Sequence, residues 1–345
     1  MIWSLQTLRF AASLLVVYVH ASQLGLLMAG ERAAYAAQLE SVGQTGVDIF
    51  FVLSGVVISI TAAKEPSASR FFWRRVRRVL PIYWVASLLP ALLVVAVGGL
   101  QWRETLATIS LWPATDILAQ PVLPVAWTLT FELLFYGAAA LVLTNRVWLP
   151  VLAGIFVGSF ALRSAGPVFQ ILGNPLIAEF LLGLVVARLP SWRPARWGVP
   201  IGAAALVAVG FLGLGPHDNI LQNYSGENNA QRVVVCGIPA ALIVYGAMQF
   251  NLNRGALTYL GGMSYALYLF QAVGIGIVYA LLKSHSIVLP PGAIIALAIL
   301  SSLVVAWIAH EAIERPMLKA LPLDLRPPRS ADRDSRLPTP SRPSA

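Results

Sequence analysis

Apolar residues in this chain come in blocks long enough to cross a bilayer, not in the strict alternation of a half-buried strand. Windows of about 20 apolar residues pick out ten spans, roughly 5–28, 45–63, 80–98, 127–144, 147–163, 168–188, 197–214, 232–250, 258–282 and 288–310. The fold class this predicts is an all-α polytopic membrane protein. Two polar breaks are long. Residues 99–126 carry Trp102, Trp112, Pro113, Pro121 and Pro124; aromatics there suit the membrane–water interface, and 104–119 has the option of dipping into the membrane or lying along it. Residues 215–231 (GPHDNILQNYSGENNAQ) are polar, with turn formers in both halves, and are expected to face water. Residues 1–317 form the expected transmembrane domain. The Pro-, Arg- and Ser-rich stretch 318–345 is an expected disordered cytoplasmic tail with some attraction to anionic lipid. No internal repeat is evident, which weakens a transporter built from two related halves.

Composition agrees with the pattern. The chain is 58% hydrophobic and 11% charged, against about 25% charged for a soluble domain. The net charge of +9 follows from topology. With the N-terminus inside, eighteen of the 24 Lys and Arg fall in inner loops and the tail, five in outer loops, and Arg9 inside a span. That asymmetry places both termini in the cytoplasm and calls for no nucleic-acid partner. The single Cys236 excludes an internal disulfide, and His20, His217, His285 and His310 stand singly, so no metal-site spacing exists. Residues 1–28 do not read as a cleaved signal, because the basic n-region is missing and His20 interrupts the apolar run.

The informative residues are the ionisable ones inside the spans. Arg9 and His20 are eleven positions apart, three helical turns to within roughly 20°, so they share a face about 16 Å apart along the axis. Such groups normally face a bundle interior or a water-filled cavity. With the first span entering from the cytoplasm, Arg9 lies near the inner surface and His20 in the outer half. Asp48 near the outer end of span two, and Glu132 about 8 Å below Trp127 in span four, are expected at the depth of His20. A carboxylate beside a histidine fixes its tautomer and makes a general base. The competing structural role is a buried charge group that locks three helices.

At the inner face, SRFFWRRVRRVLPIYW places Arg74, Arg75, Arg77 and Arg78 at the opening of span three, with Pro81 in its first turns. Forked guanidiniums at helical spacing suit phosphates, although topology and lipid headgroups also call for arginine there. Gly46, Ser54, Gly55, Gly261, Gly262 and Ser264 are expected at close helix contacts. Gln271 reaches the level of His20, as a bond to substrate or to another helix. His310, Glu311 and Glu314 are expected to pair with inner arginines.

LRFAASLLVVYVH, GVDIFFVLSGVVIS, FFWRRVRRVLPIYW, WTLTFELLFY, GGMSYALYLFQ and IERP, in that order over residues 8 to 316, resemble the acyltransferase-3 family of integral-membrane acyltransferases. The family's basic-residue-to-histidine motif falls on Arg9 and His20, its paired arginines on Arg75 and Arg78, and its carboxylate on Glu132. One departure is Gln271, where the family motif often has His. The resemblance implies a donor, acyl-CoA (acetyl-CoA expected), with its phosphates on Arg9, Arg75, Arg78 and Arg74. It implies His20 as base or acylated nucleophile, with Asp48 or Glu132 orienting it or binding sugar hydroxyls. Trp127, Tyr136 and Gln271 complete the expected substrate contacts, and no metal takes part. The implied acceptor is a carbohydrate or glycolipid, such as an exopolysaccharide or lipopolysaccharide, reached from the outer side of a bacterial inner membrane. Partners would be a second copy of the chain or polysaccharide-synthesis proteins. A glycolipid transporter or flippase without covalent chemistry, or a non-catalytic scaffold, would use the same buried charges differently.

Overall fold

A computed structural model describes residues 3–29, 36–65, 67–99, 101–216, 219–253 and 255–320. Among these the chain is helical and has no strand, only an isolated bridge between Ala114 and Leu118. The helices are α1 (Trp3–Ala29), α2 (Ala36–Gln44), α3 (Gly46–Ala62), α4 (Ala68–Val97), α5 (Trp102–Ser110), α6 (Trp127–Thr144), α7 (Trp148–Ala161) and α8 (Pro167–Leu172). They continue with α9 (Ile177–Val186), α10 (Gly198–Phe211), α11 (Ile220–Ser225), α12 (Asn229–Arg232), α13 (Ile238–Met248), α14 (Ala256–Ser284), α15 (Pro291–Ala309) and α16 (Arg315–Ala320). Nine of the described helical stretches are long and apolar enough to cross a bilayer. The tenth predicted span is α7, which has only 14 residues. The expected disordered tail begins at 318, but residues 318–320 belong to α16, and from 321 onward it lies outside the described residues.

Two boundaries differ from the hydropathy windows for physical reasons. α4 begins at Ala68, capped by the Ser67 hydroxyl, which accepts from the Arg70 amide at 3.3 Å. Its first turns are amphipathic: Phe71 is buried while Arg74 faces solvent. An apolar window rejects such turns, yet they are helical. The arginine cluster therefore sits within the helix, and Pro81 is interior to it. Residues 215–231 are the second difference. They do not simply face water, because α11 and α12 fold inward and bury Asn223, Tyr224 and Asn229. An amide network makes this burial tolerable. Asn174 Nδ2 donates to the carbonyls of Asn223 (2.8 Å) and Tyr224 (3.1 Å), and Asn229 Nδ2 donates to Asn174 Oδ1 (3.1 Å) and the Asn223 carbonyl (2.9 Å).

α1 packs on α14, α15 and α3; α3 packs on α9; α4 packs on α6. Small residues set the closest crossing. A Cβ on Gly55 would stand 2.1 Å from the Phe180 carbonyl oxygen, and one on Gly183 would stand 2.1 Å from that of Val52. α3 and α9 therefore touch backbone to backbone, which only glycine permits. Gly46 and Gly261 do the same against α1, at the Ala12 and Gln6 carbonyls. Gly262 does not; it opens on empty space, contrary to expectation. Around the α3–α9 crossing, Phe51 stacks on Phe180 at 4.7 Å and meets Trp127 and Phe131 edge-on, and Phe180 stacks in turn on Phe135. This aromatic core fixes α6 beside α3, and both helices then supply walls to the site.

Candidate active site

Two chambers lie along α1, one at each of its ionisable residues. The chamber at the arginine-rich end is narrow, about 70 Å³, and is lined by Arg9, Arg75, Arg78, Glu132, Tyr136 and Ser54 among others. Arg9 comes from α1, the other two arginines from successive turns of α4, and Glu132 and Tyr136 from successive turns of α6. The Tyr136 hydroxyl donates to Glu132 Oε1 in a short hydrogen bond. Arg75 lies over the rings of Tyr136 (5.7 Å) and Phe71 (5.8 Å), and its Nη2 donates to the Thr61 hydroxyl. Charge on Arg78, Glu132 and Glu314 acts on Arg9. Three guanidiniums thus face one carboxylate on the chamber wall, and the surplus positive charge suits an anion with forked acceptors.

The second chamber, about 390 Å³, opens at His20, a size within the ~300–1,000 Å³ typical of small-molecule sites. Its wall carries amide side chains, namely Gln23, Gln44, Gln120, Asn219 and Asn223, together with Trp127 and Arg232. The loop 99–126 forms part of this wall through Gln120, Pro124 and Val125. Tyr83 and Trp84 of α4 hold the loop by donating to the carbonyls of Thr108 (2.8 Å) and Ile109 (3.0 Å). Outside the spans, Arg103 closes on Asp116 with two hydrogen bonds and holds its carboxyl well below the usual carboxylate range.

His20 Nδ1 lies 2.9 Å from the Val16 carbonyl and 3.1 Å from Gln271 Oε1. The orientation of the Gln271 amide is set by its other end, because Nε2 donates to the Tyr268 carbonyl at 2.7 Å. Two oxygens at Nδ1 make that nitrogen the N–H donor, and the free lone pair is then on Nε2. An orienting group is thus present, but it is an uncharged amide rather than a carboxylate.

The three ionisable groups expected at one depth are separated. Glu132 faces the arginine chamber, because the 3₁₀ turn Pro124–Ala126 starts the α6 stretch inside the His20 chamber and carries Glu132 further along. Asp48 is fully buried and does not touch His20. It pairs with Arg232, whose Nε and Nη2 donate to its two oxygens at 2.8 and 3.0 Å while Nη1 donates to Asn223 Oδ1 at 3.0 Å. Glu179 lies beside this pair, fully buried against the Asp48 carboxylate. Arg232, assigned by sequence to an outer loop, is therefore the residue that reasoning missed. The signal was present: a carboxylate within an apolar run requires a buried cation. Arg74 is not in the arginine chamber either; it faces solvent and pairs with Glu65 at 2.8 Å. Glu311 does pair with Arg315 at 2.6 Å, whereas His310 pairs with Glu314 at 2.7 Å. Among the described residues no cluster of His, Cys, Asp and Glu could hold a metal ion.

Two known proteins are similar to this chain over most of its length. The chain is 29% identical over 311 residues to the exopolysaccharide production protein ExoZ of Rhizobium meliloti (strain 1021), covering 81% of this chain and 90% of that one. It is 23% identical over 368 aligned positions to the acyltransferase MdmB of Streptomyces mycarofaciens, covering 92% of each. No solved structure matches it significantly. The model of the acyltransferase-3 family, described as an acyltransferase domain, matches residues 2–311, and the chain belongs to that family of multi-pass membrane acyltransferases.

Proposed function

We propose that this acyltransferase moves an acyl group, acetyl in the expected case, from cytoplasmic acyl-CoA to a hydroxyl of a carbohydrate acceptor on the outer side of a bacterial inner membrane. The observation that supports this most is the pair of chambers along α1, one rich in arginine at Arg9 and one lined by amides at His20. Arg9, Arg75 and Arg78 take the phosphates of the donor, with Glu132 and Tyr136 holding the guanidiniums in place. The donor's thiol arm runs along α1 toward His20, roughly 16 Å further on. Side-chain amides offer a donor and an acceptor each, which is what a polyhydroxyl ligand needs, and Trp127 supplies an aromatic surface beside them.

In the reaction His20 Nε2 takes the proton of an acceptor hydroxyl as its oxygen attacks the thioester carbonyl. The C–S bond breaks, and the leaving thiolate takes the proton back from His20. The products are an ester and free CoA thiol, and no proton is gained or lost. An acyl-His20 intermediate is the other route from the same geometry. Gln271, by accepting from Nδ1, leaves the Nε2 lone pair free at the start of either route.

The test is label transfer. Labelled acetyl-CoA is supplied to the cytoplasmic face of vesicles containing the protein, and the outer glycan and released CoA are assayed. Label on the glycan is expected, falling by about 10²–10⁴-fold in His20→Ala. Movement of glycan without label would mean a flippase; full transfer by His20→Ala would remove the base.

A further inference from the structure

Among the described residues the two chambers have only two lining residues in common, Val47 of α3 and Tyr268 of α14. These two residues are where the chambers come nearest to one another along their linings. Tyr268 is 94% buried, and its position is fixed at three points. Its hydroxyl donates to the Val125 carbonyl at 2.8 Å and lies 2.8 Å from the Thr128 hydroxyl. Its ring meets Phe50 edge-on at 5.8 Å. Its own carbonyl receives the Gln271 amide that orients His20. Phe50 and Thr128 are bordering groups with known sides: Phe50 lines the arginine chamber and so does Thr128, whereas Val125 lines the amide chamber. The ring thus stands across the boundary, and its hydroxyl is attached at the rim.

We propose that Tyr268, with Val47 opposite, is the septum between donor and acceptor chambers. At rest the phenol ring closes the way between two polar cavities that would otherwise join into a wet path through the bilayer. When the donor's arm enters, the ring swings off its hydroxyl bonds and the arm takes its place, so the passage is filled either by the ring or by the arm. The role of the arm rests on the acyl-transfer reading above; the seal does not. Tyr268 is a positioning residue by this account. It decides when the thioester meets His20, and it keeps water of one chamber out of the other.

The experiment uses the full chain reconstituted in liposomes loaded with a pH-sensitive dye, under an imposed pH gradient. Wild type is expected to hold the gradient. Tyr268→Ala is expected to dissipate it about 10-fold faster or more, as widening an apolar constriction wets it. Val47→Ala, a milder change in the opposite wall, is expected to act in the same direction and covers the case in which Tyr268→Ala does not reconstitute. Tyr268→Phe keeps the ring and is expected to remain tight. Gradients as stable as wild type in both alanine variants would overturn the septum, as would equal leak in Tyr268→Phe and Tyr268→Ala. A second readout supplies acetyl-CoA and measures free acetate against acetylated glycan. Tyr268→Ala is expected to raise the acetate share, water replacing the acceptor hydroxyl at the thioester carbonyl; an unchanged share in a leaky variant would overturn the positioning role. Leak by the alanine variants, with no transfer by wild type, would keep the seal and discard the acyl-transfer reading. Transfer by wild type with tight alanine variants would do the reverse.

Discussion

Gln271 Oε1 faces His20 Nδ1 at 3.1 Å, while the other end of the same amide is held on the Tyr268 carbonyl. A neutral side chain therefore sets the imidazole tautomer. Removing it in Gln271→Ala frees the ring and is expected to lower kcat by about 10–100-fold, the usual cost of losing a partner that orients a histidine. Steady-state kinetics on this variant decide it; an unchanged kcat would separate Gln271 from the base.

Arg75 and Arg74 are neighbours in sequence with opposite expectations. Arg75 lies in the arginine chamber between Tyr136 and Phe71, and Arg74 faces solvent on Glu65. Arg75→Lys keeps the charge but loses the planar fork, and should raise KM for acyl-CoA by about 10-fold, the worth of one charge-assisted hydrogen bond. Arg74→Ala should leave KM within about twofold, because exposed ion pairs contribute little. Donor titration on both variants checks the pair.

The Asp48–Arg232 pair is buried on both sides, at 0% and 5% exposure. Arg232→Ala leaves the Asp48 carboxylate buried without its cation and should cost about 3–5 kcal/mol of stability, and Asp48→Ala, which leaves Glu179 beside Arg232, should cost less. Replacing both at once, as Asp48→Leu with Arg232→Met, should recover most of that loss. Thermal unfolding of detergent-solubilised protein measures it, and a double variant no better than the singles would contradict an interaction between the two.

Gly55 meets the Phe180 backbone so closely that a methyl group has no room, and the atom in the way is a carbonyl that cannot rotate aside. Gly55→Ala should therefore separate α3 from α9 and cost about 1–3 kcal/mol or more, seen as lost yield of monodisperse protein. Gly262→Ala, on open space, should be silent.

Acid sensitivity of the loop 99–126 follows from Asp116. Arg103 lowers its folded-state carboxyl below the ordinary range, so whatever the pair contributes is present above about pH 4, the ordinary carboxylate value, and fades as pH falls below it. The pair is exposed and screened by salt. Arg103→Ala should leave the unfolding temperature at pH 7 nearly unchanged, and its effect should vanish at acid pH.

Much of this molecule could be read from its spans. Ten apolar blocks become nine long helices and α7 among the described residues, and the eleven-residue spacing of Arg9 and His20 does put one at each chamber. What escaped is what depends on tertiary depth. The start of α6 at Trp127 is legible, but its depth is not: Trp127 itself lines the His20 chamber, so Glu132, further along the helix, reaches the arginine chamber. Arg232 looked like a loop residue because α12 follows a polar stretch, and only burial of that stretch reveals the partner of Asp48. Gln271 was legible as a polar group level with His20, but not as the residue that holds it.

α7 carries one further consequence. At 14 residues it measures about 21 Å, and all its side chains but Ser159 are at least partly exposed. Where α7 faces lipid it falls short of a hydrocarbon core of ~30 Å, and a bilayer that thins to meet it does so at a cost of fractions of a kcal/mol per Å. Hydrophobic mismatch on one side makes this chain sensitive to bilayer thickness, and it should partition and work best in membranes of shorter acyl tails.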